Sequence, residues 1–210
     1  MSSVIYLLRH AEIDRSSPRR FLGQSDLPLN DNGLCQAQQL GQTLSHIPFC
    51  HIFSSPLHRA MQTATLASGG PMDAIRPVRA FAEINLGAWE GLTVAEVQQR
   101  FPGAYEERGH DLAHFRPPGG ESFVDVADRA LPALLEIARS MPGPLLIVAH
   151  AGVNRALLCR LLQRPLAEVL HIPQDYGAIN ILEQVGERLR VKAINQITVP
   201  ATRQANDQSD

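Results

Sequence analysis

Two short apolar runs, far apart in the chain, constrain the fold more than any other feature of this sequence. Val4–Leu8 and Leu145–Ala149 are almost entirely apolar and show no alternation of apolar and polar residues. Such runs are typical of strands that are buried on both faces, as in a parallel sheet covered by helices. Each run leads through a short turn into a stretch with helical spacing, so the sequence predicts an α/β fold.

The remaining elements predict a three-layer α/β/α sandwich with a mostly parallel central sheet and an edge hairpin. Weaker strands are predicted at His51–Phe53 and Ile75–Arg79, and the edge hairpin at Ala178–Gln184 and Arg188–Ile194. Five helices are predicted, at Asp31–His46, Pro56–Ala67, Thr93–Arg100, Phe123–Ser140 and Val153–Leu162. Ser54 and Ser55 are candidate caps of the second helix. The segment Phe101–Gly120 is rich in Gly and Pro and is predicted to be a loop-rich insertion near a site.

Composition indicates one globular domain, which we predict to span residues 1–199, because 44% of the residues are hydrophobic and 19% are charged. Residues 200–210 are polar and without periodicity, so a disordered tail is predicted there. A net charge of −2 argues against a nucleic-acid partner, and no apolar run is long enough for a membrane span. Three cysteines without CxxC spacing favour a cytoplasmic protein. A homodimer is kept as an open expectation.

Arginine and histidine residues follow the predicted strands at their carboxyl ends, where open parallel sheets bind their ligands. Arg9 and His10 end the first apolar run, and His150 follows the second. Arg59 lies in the first turns of the helix after His51–Phe53, so all four side chains are expected in one crevice. Arginine binds phosphate oxygens through two hydrogen bonds, and neutral histidine can accept a phosphoryl group. The pattern predicts a site for phosphoryl transfer.

A proton donor is also needed, because the leaving alkoxide of a phosphate ester must be protonated. Glu83 is the candidate, since it follows the predicted strand at Ile75–Arg79 and should lie near the crevice. Glu90 and Glu121 are its competitors for this role. No metal site is expected, and no organic cofactor is implied by the sequence.

Four blocks of this sequence resemble the signature blocks of the histidine phosphatase superfamily, which is also called phosphoglycerate-mutase-like. Leu8–Glu12 resembles LRHGE, and Ser54–Ala64 resembles SSPLxRAxQTA. Glu83–Gly91 is similar to LxExxxGxWEG, counted from its glutamate, and Ala149–Arg155 resembles SHGGVxR. The blocks run in the order of the family, so the resemblance extends over most of the chain.

The resemblance implies roles for the residues at the matching positions. His10 would be the phosphorylated nucleophile, while Arg9, Arg59 and His150 would form the phosphate pocket. Glu83 would be the general acid and base, with His150 assisting catalysis.

Two positions depart from the family pattern. Ala11 and Ala151 stand where the family usually has glycine. Alanine at these positions is costly if the backbone there has positive φ. The branch of acid phosphatases and phytases has Asp at the place of Ala151, so its absence favours the branch that uses Glu83.

Two further stretches resemble a subgroup, the α-ribazole phosphatases of cobalamin biosynthesis. Gly23–Leu29 resembles GQTDxPL, and Pro118–Ser122 matches PGGES. The resemblance implies a phosphatase of small phosphorylated metabolites, with α-ribazole 5′-phosphate as a candidate substrate and Gln24 and Ser25 as candidate substrate-binding residues. Two alternatives stay open: phosphoryl transfer of the phosphoglycerate-mutase type, and non-catalytic binding of a phosphorylated ligand.

Overall fold

The computed structural model describes residues 3–14 and 17–197, which contain one six-stranded sheet. The strands are β1 (Val4–Arg9), β2 (His51–Ser54), β3 (Arg76–Pro77), β4 (Leu145–Ala149), β5 (Ile179–Val185) and β6 (Arg188–Gln196). Their order across the sheet is β3-β2-β4-β1-β5-β6. The first four strands are parallel, whereas β5 runs antiparallel to β1 and to β6. The predicted mostly parallel sheet with an edge hairpin is confirmed.

Helices cover both faces of this sheet. They are α1 (Asp31–Leu44), α2 (His58–Ser68), α3 (Val94–Arg100), α4 (Ala104–His110), α5 (Phe123–Ser140) and α6 (Ala151–Leu161). Leu145 and Ile147 of β4 pack into the same core as α5 and α6. Leu146 and Val148 point to the opposite face, into the core formed with α1 and α2. Because β4 is buried on both faces, its sequence is apolar without alternation.

Two predictions about local structure need correction. The strand predicted at Ile75–Arg79 is reduced to β3, because this strand lies at the sheet edge and Pro77 has no N–H to donate. The predicted loop-rich segment Phe101–Gly120 contains α4, which begins after Gly103. Gly103 has a φ of 82°, a conformation that favours glycine, and so allows the chain to turn into this helix.

The start of α2 also differs from the prediction that Ser54 and Ser55 cap it. The helix begins at His58, whose backbone N–H donates to both carboxylate oxygens of Asp26 at 2.8 and 2.9 Å. A carboxylate at a helix N-terminus satisfies an exposed N–H group and interacts favourably with the helix dipole. The cap is therefore supplied by a loop 32 residues earlier in the chain.

The described helices give no candidate membrane span, since none combines the length and the apolar character that crossing a bilayer requires. Residues 200–210, predicted to be a tail, lie outside the described residues.

Candidate active site

A cavity of about 450 Å³ is lined by residues at the carboxyl ends of the parallel strands and by the loops around them. Arg9, His10, Arg59 and Glu83 all line it. His150 lies beside His10, with the two ring centroids 5.1 Å apart, and its side chain has no solvent exposure. The structure thus brings together five residues that come from four separate parts of the sequence.

His10 is held in one orientation by a backbone contact. Its Nδ1 lies 2.7 Å from the carbonyl oxygen of Ala11, and a carbonyl can only accept, so Nδ1 carries the proton. In the neutral ring the lone pair is then on Nε2, which is the nucleophilic nitrogen. The Ala11 N–H donates to Thr63 Oγ1 at 3.0 Å, and this bond ties the turn after β1 to α2.

Arg59 is almost fully buried, with 2% of its side chain exposed. Its Nη1 donates to the carbonyl oxygen of Ser25 at 2.7 Å, and its Nη2 donates to that of Gly23 at 2.9 Å. Burial lowers the pKa of this guanidinium, while the negative charges of Glu83 and Asp26 oppose that shift. Arg59 Nε is buried and has no hydrogen-bond partner among the described residues, so it is a donor available to an anion.

Arg9 approaches the cavity from the end of β1. Its Nη1 donates to the carbonyl oxygen of Gln174, and its guanidinium carbon lies 3.8 Å from the ring centroid of Tyr176. The Tyr176 ring also lies 5.5 Å from the His10 ring. A planar aromatic ring under a guanidinium orients it and attracts its charge.

His150 is paired with a buried serine. Its Nε2 lies 2.7 Å from Ser55 Oγ, and Ser55 Oγ also accepts a hydrogen bond from the Leu57 N–H at 3.3 Å. The Nδ1 of His150 is buried without a partner among the described residues. Burial lowers the pKa of His150 well below its usual range, and the charges of His10, Arg59, Arg9 and Arg129 lower it further. The ring is therefore neutral at pH 7.

The three glutamates considered as proton donor occupy different positions. Glu83 lines the cavity, and its two carboxylate oxygens accept from the backbone N–H groups of Ile84 at 2.9 Å and Gly152 at 3.1 Å. Glu90 accepts from the Gln24 N–H at 2.8 Å and from Ser25 Oγ at 3.2 Å. The geometry thus favours Glu83 over Glu90 as the group that faces a ligand.

Glu121 is engaged in an ion pair with Arg129, at 2.7 Å. Arg129 also donates to the carbonyl oxygens of Ala80 at 2.6 Å and Glu83 at 3.2 Å. The pair therefore fixes the loop that carries Glu83. Glu121 does not line the cavity, so it is a poorer candidate for the proton donor than Glu83.

Gln24 and Ser25 lie one layer behind the cavity wall. Gln24 Nε2 donates to the carbonyl oxygen of Glu83 at 2.8 Å, and the Ser25 side chain donates to Glu90. Neither residue is among those that line the cavity, whereas the neighbouring Gly23 is. In this structure the two side chains bind the segment that carries Glu83 and Glu90, and the expected contact of Gln24 and Ser25 with substrate stays a prediction.

The two alanines at positions where the family has glycine impose no backbone strain. Among the described residues, positive φ at a residue other than glycine occurs only at Gln163 and Asn195. Ala11 is fully buried, and Ala151 lines the cavity as the first residue of α6.

Three residues of the site have roles that the sequence did not reveal: Ser55, Thr63 and Tyr176. Ser55 and Thr63 lie within a block that resembles the family, so the sequence singled out their positions but did not predict which groups they contact. Tyr176 carries no such signal, because it reaches Arg9 and His10 only through the return of the chain into β5. Within the described ranges, no group of three or more His, Cys, Asp or Glu side chains is arranged to hold a metal ion.

Comparison with known proteins identifies the family. Residues 5–197 match the model of the histidine phosphatase superfamily (branch 1). A glucosyl-3-phosphoglycerate phosphatase of Mycolicibacterium vanbaalenii is 36% identical over 173 residues, which cover 77% of this chain and 75% of that protein.

Solved structures agree with this result. The native mycobacterial glucosyl-3-phosphoglycerate phosphatase superposes with a TM-score of 0.81 at 30% identity, covering 93% of this chain and 99% of that one. An α-ribazole phosphatase from Shigella flexneri gives a TM-score of 0.83 at 25% identity, covering 94% and 98%. The chain belongs to the histidine phosphatase superfamily, branch 1, and is a phosphatase of small phosphorylated sugars or metabolites.

Proposed function

We propose that this protein hydrolyses phosphomonoesters through a phosphohistidine formed at His10. The observation that carries the proposal is the hydrogen bond from His10 Nδ1 to the carbonyl oxygen of Ala11, at 2.7 Å. It leaves the lone pair on Nε2, and His10 lines a cavity that Arg9 and Arg59 also line. A neutral imidazole nitrogen next to fixed positive charge is suited to attack phosphorus in a dianionic ester.

The phosphate oxygens would be held by Arg9, Arg59 and His150. Arg59 Nε is a buried donor that has no partner in the part of the chain that the structure describes, and its Nη groups are already oriented by backbone carbonyls. Ser55 Oγ accepts from a backbone N–H, so its own proton can be donated to His150 Nε2. His150 Nδ1 then carries a proton that can be donated to a phosphate oxygen.

Glu83 would transfer the protons. In the first step, His10 Nε2 forms a bond to phosphorus, the ester P–O bond breaks, and protonated Glu83 gives its proton to the leaving alkoxide. In the second step, the Glu83 carboxylate takes a proton from water. The resulting hydroxide attacks phosphorus and the P–N bond breaks, so that phosphate and neutral His10 are restored.

The alcohol released in this reaction is the open part of the proposal. The stretches Gly23–Leu29 and Pro118–Ser122 support α-ribazole 5′-phosphate, because they resemble the α-ribazole phosphatases. The relatives at higher identity support glucosyl-3-phosphoglycerate. Hydrolysis rates for both compounds, measured with one enzyme preparation, would separate these candidates.

The mechanism is tested by His10→Ala, with His46→Ala as a control because His46 is an exposed histidine that does not line the cavity. The parent and the control should form a phosphoenzyme whose phosphate is labile in acid and stable in base. His10→Ala should lose this label and all but a small part of the turnover. If His10→Ala kept more than about a tenth of the rate, the nucleophile would be another residue.

The alternatives give different products. A mutase would convert 3-phosphoglycerate to 2-phosphoglycerate without net release of inorganic phosphate. A protein that only binds phosphorylated ligands would show saturable binding but no phosphoenzyme. Measuring both products together with the label therefore distinguishes all three functions.

A further inference from the structure

The cavity around His10 carries more positive charge than one phosphate group requires. Among the described residues, six arginines line it, and Glu83 is the one carboxylate. The arginines are Arg9, Arg19, Arg20, Arg59, Arg108 and Arg155. Arg9 and Arg59 belong to the proposed phosphate pocket, and four remain to be explained.

One of these four is already neutralised. Arg20 donates to Glu96 at 2.9 Å and to the carbonyl oxygen of Gly91 at 2.7 Å. Arg19, Arg108 and Arg155 take part in none of the ion pairs found among the described residues.

The three arginines without a carboxylate come from separate elements. Arg19 directly precedes Arg20, which forms an isolated β-bridge with Thr93. Arg108 lies in the last turn of α4, and Arg155 lies in α6. Their convergence on one cavity is therefore not a consequence of sequence proximity. Arg155 is also fixed, because its Nε donates to the carbonyl oxygen of Ile172 at 2.8 Å.

A solvated surface charge would not explain Arg108 and Arg155. Both residues are half-buried, and burial lowers the pKa of each guanidinium. For Arg155 the negative charge of Glu83 opposes this lowering of the pKa, the positive charge of Arg19 adds to it, and the negative charge of Asp175 opposes it. Removing a charge from water without a counter-ion is costly, so such positions are explained when a ligand brings the opposite charge.

Elsewhere in this protein a half-buried arginine has a partner. Arg129 has 23% of its side chain exposed and is paired with Glu121 at 2.7 Å. By contrast, no carboxylate among the described residues forms an ion pair with Arg108 or Arg155, which leaves room for an anion supplied by a ligand.

We infer that the alcohol part of the substrate carries a second anionic group, a carboxylate or a phosphate, which binds between Arg108 and Arg155 with Arg19 at the entrance. The inference rests on the proposed function, because it assumes that the ester phosphate lies against Arg9 and Arg59. Val94, Tyr105 and Leu170 also line the cavity and provide apolar surface for the carbon frame between the two anions.

The expected size of the effect follows from hydrogen bonding to charged groups. One such contact changes affinity by about tenfold to a hundredfold. A substrate with the second anion should therefore exceed its neutral counterpart in kcat/KM by at least about tenfold. The preference should weaken with added salt, because part of the cavity is open to solvent.

The test uses two matched pairs of phosphomonoesters at constant ionic strength. D-3-phosphoglycerate and sn-glycerol 3-phosphate differ by a carboxylate in place of a hydroxymethyl group. Fructose 1,6-bisphosphate and fructose 1-phosphate differ by a second phosphate. We expect a preference of at least about tenfold within one pair, and the pair with the larger ratio identifies the anion. Ratios near one in both pairs would overturn the inference.

Two arginine variants test whether the preference for the second anion arises at the proposed subsite. Arg108→Gln should reduce the ratio within the preferred pair by about tenfold. Arg139→Gln, which removes an exposed arginine of α5 outside the cavity, should leave the ratio unchanged. An Arg108→Gln protein that folds normally and keeps the full ratio would remove Arg108 from the subsite and contradict the inference.

Binding measurements separate this inference from the proposed function. The dissociation constants of the same compounds are measured by calorimetry on His10→Ala, which keeps both sets of arginines. If the parent forms no phosphoenzyme and hydrolyses neither these four compounds nor the two candidate substrates, but the anion preference in binding persists, the proposed function fails and the subsite stands. If hydrolysis is seen and no preference exists in either measurement, the subsite fails and the proposed function stands.

Discussion

Gly152 offers a way to displace the proposed proton donor without touching it. The residue lies in the first turn of α6, and its N–H donates to Glu83 Oε2 at 3.1 Å. A Cβ added at this position would lie 2.4 Å from Glu83 Oε1, whereas ordinary contacts begin at 3.4 Å. In Gly152→Ala the carboxylate must therefore move by about 1 Å, and a displacement of this size can reduce catalysis by about a hundredfold.

Gly152→Ala should lose activity without losing thermal stability. Alanine is favoured over glycine within a helix by roughly 0.5–1 kcal/mol, and the clash is with the mobile end of a side chain rather than with backbone. We therefore expect an unchanged or slightly higher Tm together with a large loss of kcat. Gly109→Ala is the matched control, because Gly109 is also helical and nothing lies within 4 Å of the added Cβ.

The assay compares leaving groups in single turnovers. Hydrolysis of an alkyl phosphate needs the proton, so Gly152→Ala should slow phosphoenzyme formation by about a hundredfold. With p-nitrophenyl phosphate the leaving group departs without protonation, so formation should slow by less than about tenfold. A folded Gly152→Ala protein that hydrolyses an alkyl phosphate within about threefold of the parent would refute the role of Glu83 as the acid.

Two further predictions concern the phosphate pocket. Arg59→Lys keeps the charge, but lysine lacks the guanidinium geometry that donates to two carbonyls and an anion at once, so kcat/KM should fall by roughly a hundredfold or more. Unchanged steady-state kinetics would exclude Arg59 from the pocket. Burial depresses the pKa of His150, so only the unfolded chain takes up a proton at this residue as the pH falls. The contribution of His150 to the free energy of unfolding is therefore fully present above about pH 6.5, and below it up to about 1.4 kcal/mol is lost per pH unit. Urea unfolding between about pH 7.5 and 5.5 should show a shallower pH dependence for His150→Asn than for the parent, and identical slopes would contradict this assignment.

Much of the fold could be predicted because burial on both faces leaves a local signature. The apolar runs correctly located β1 and β4, and the end of each run located His10 and His150. The short edge strand β3 was overestimated, since two residues give too little pattern to set its limits. Helix α4 was missed because glycine and proline around it resemble loop composition.

Within the site, the sequence by itself determined which residue types stand at the ends of the strands, and the matching blocks pointed to Arg9, Arg59 and Glu83. The tertiary structure decided how Glu83 differs from Glu90 and Glu121, because that depends on which N–H groups and arginines the folded chain brings to each carboxylate. It also decided that Arg108 and Arg155 line the same cavity and that neither forms an ion pair with a carboxylate of the described residues. Hydrogen bonds and ion pairs act over a few ångströms in space, and residues at that distance here are separated by tens of residues in the chain, so no local pattern records them.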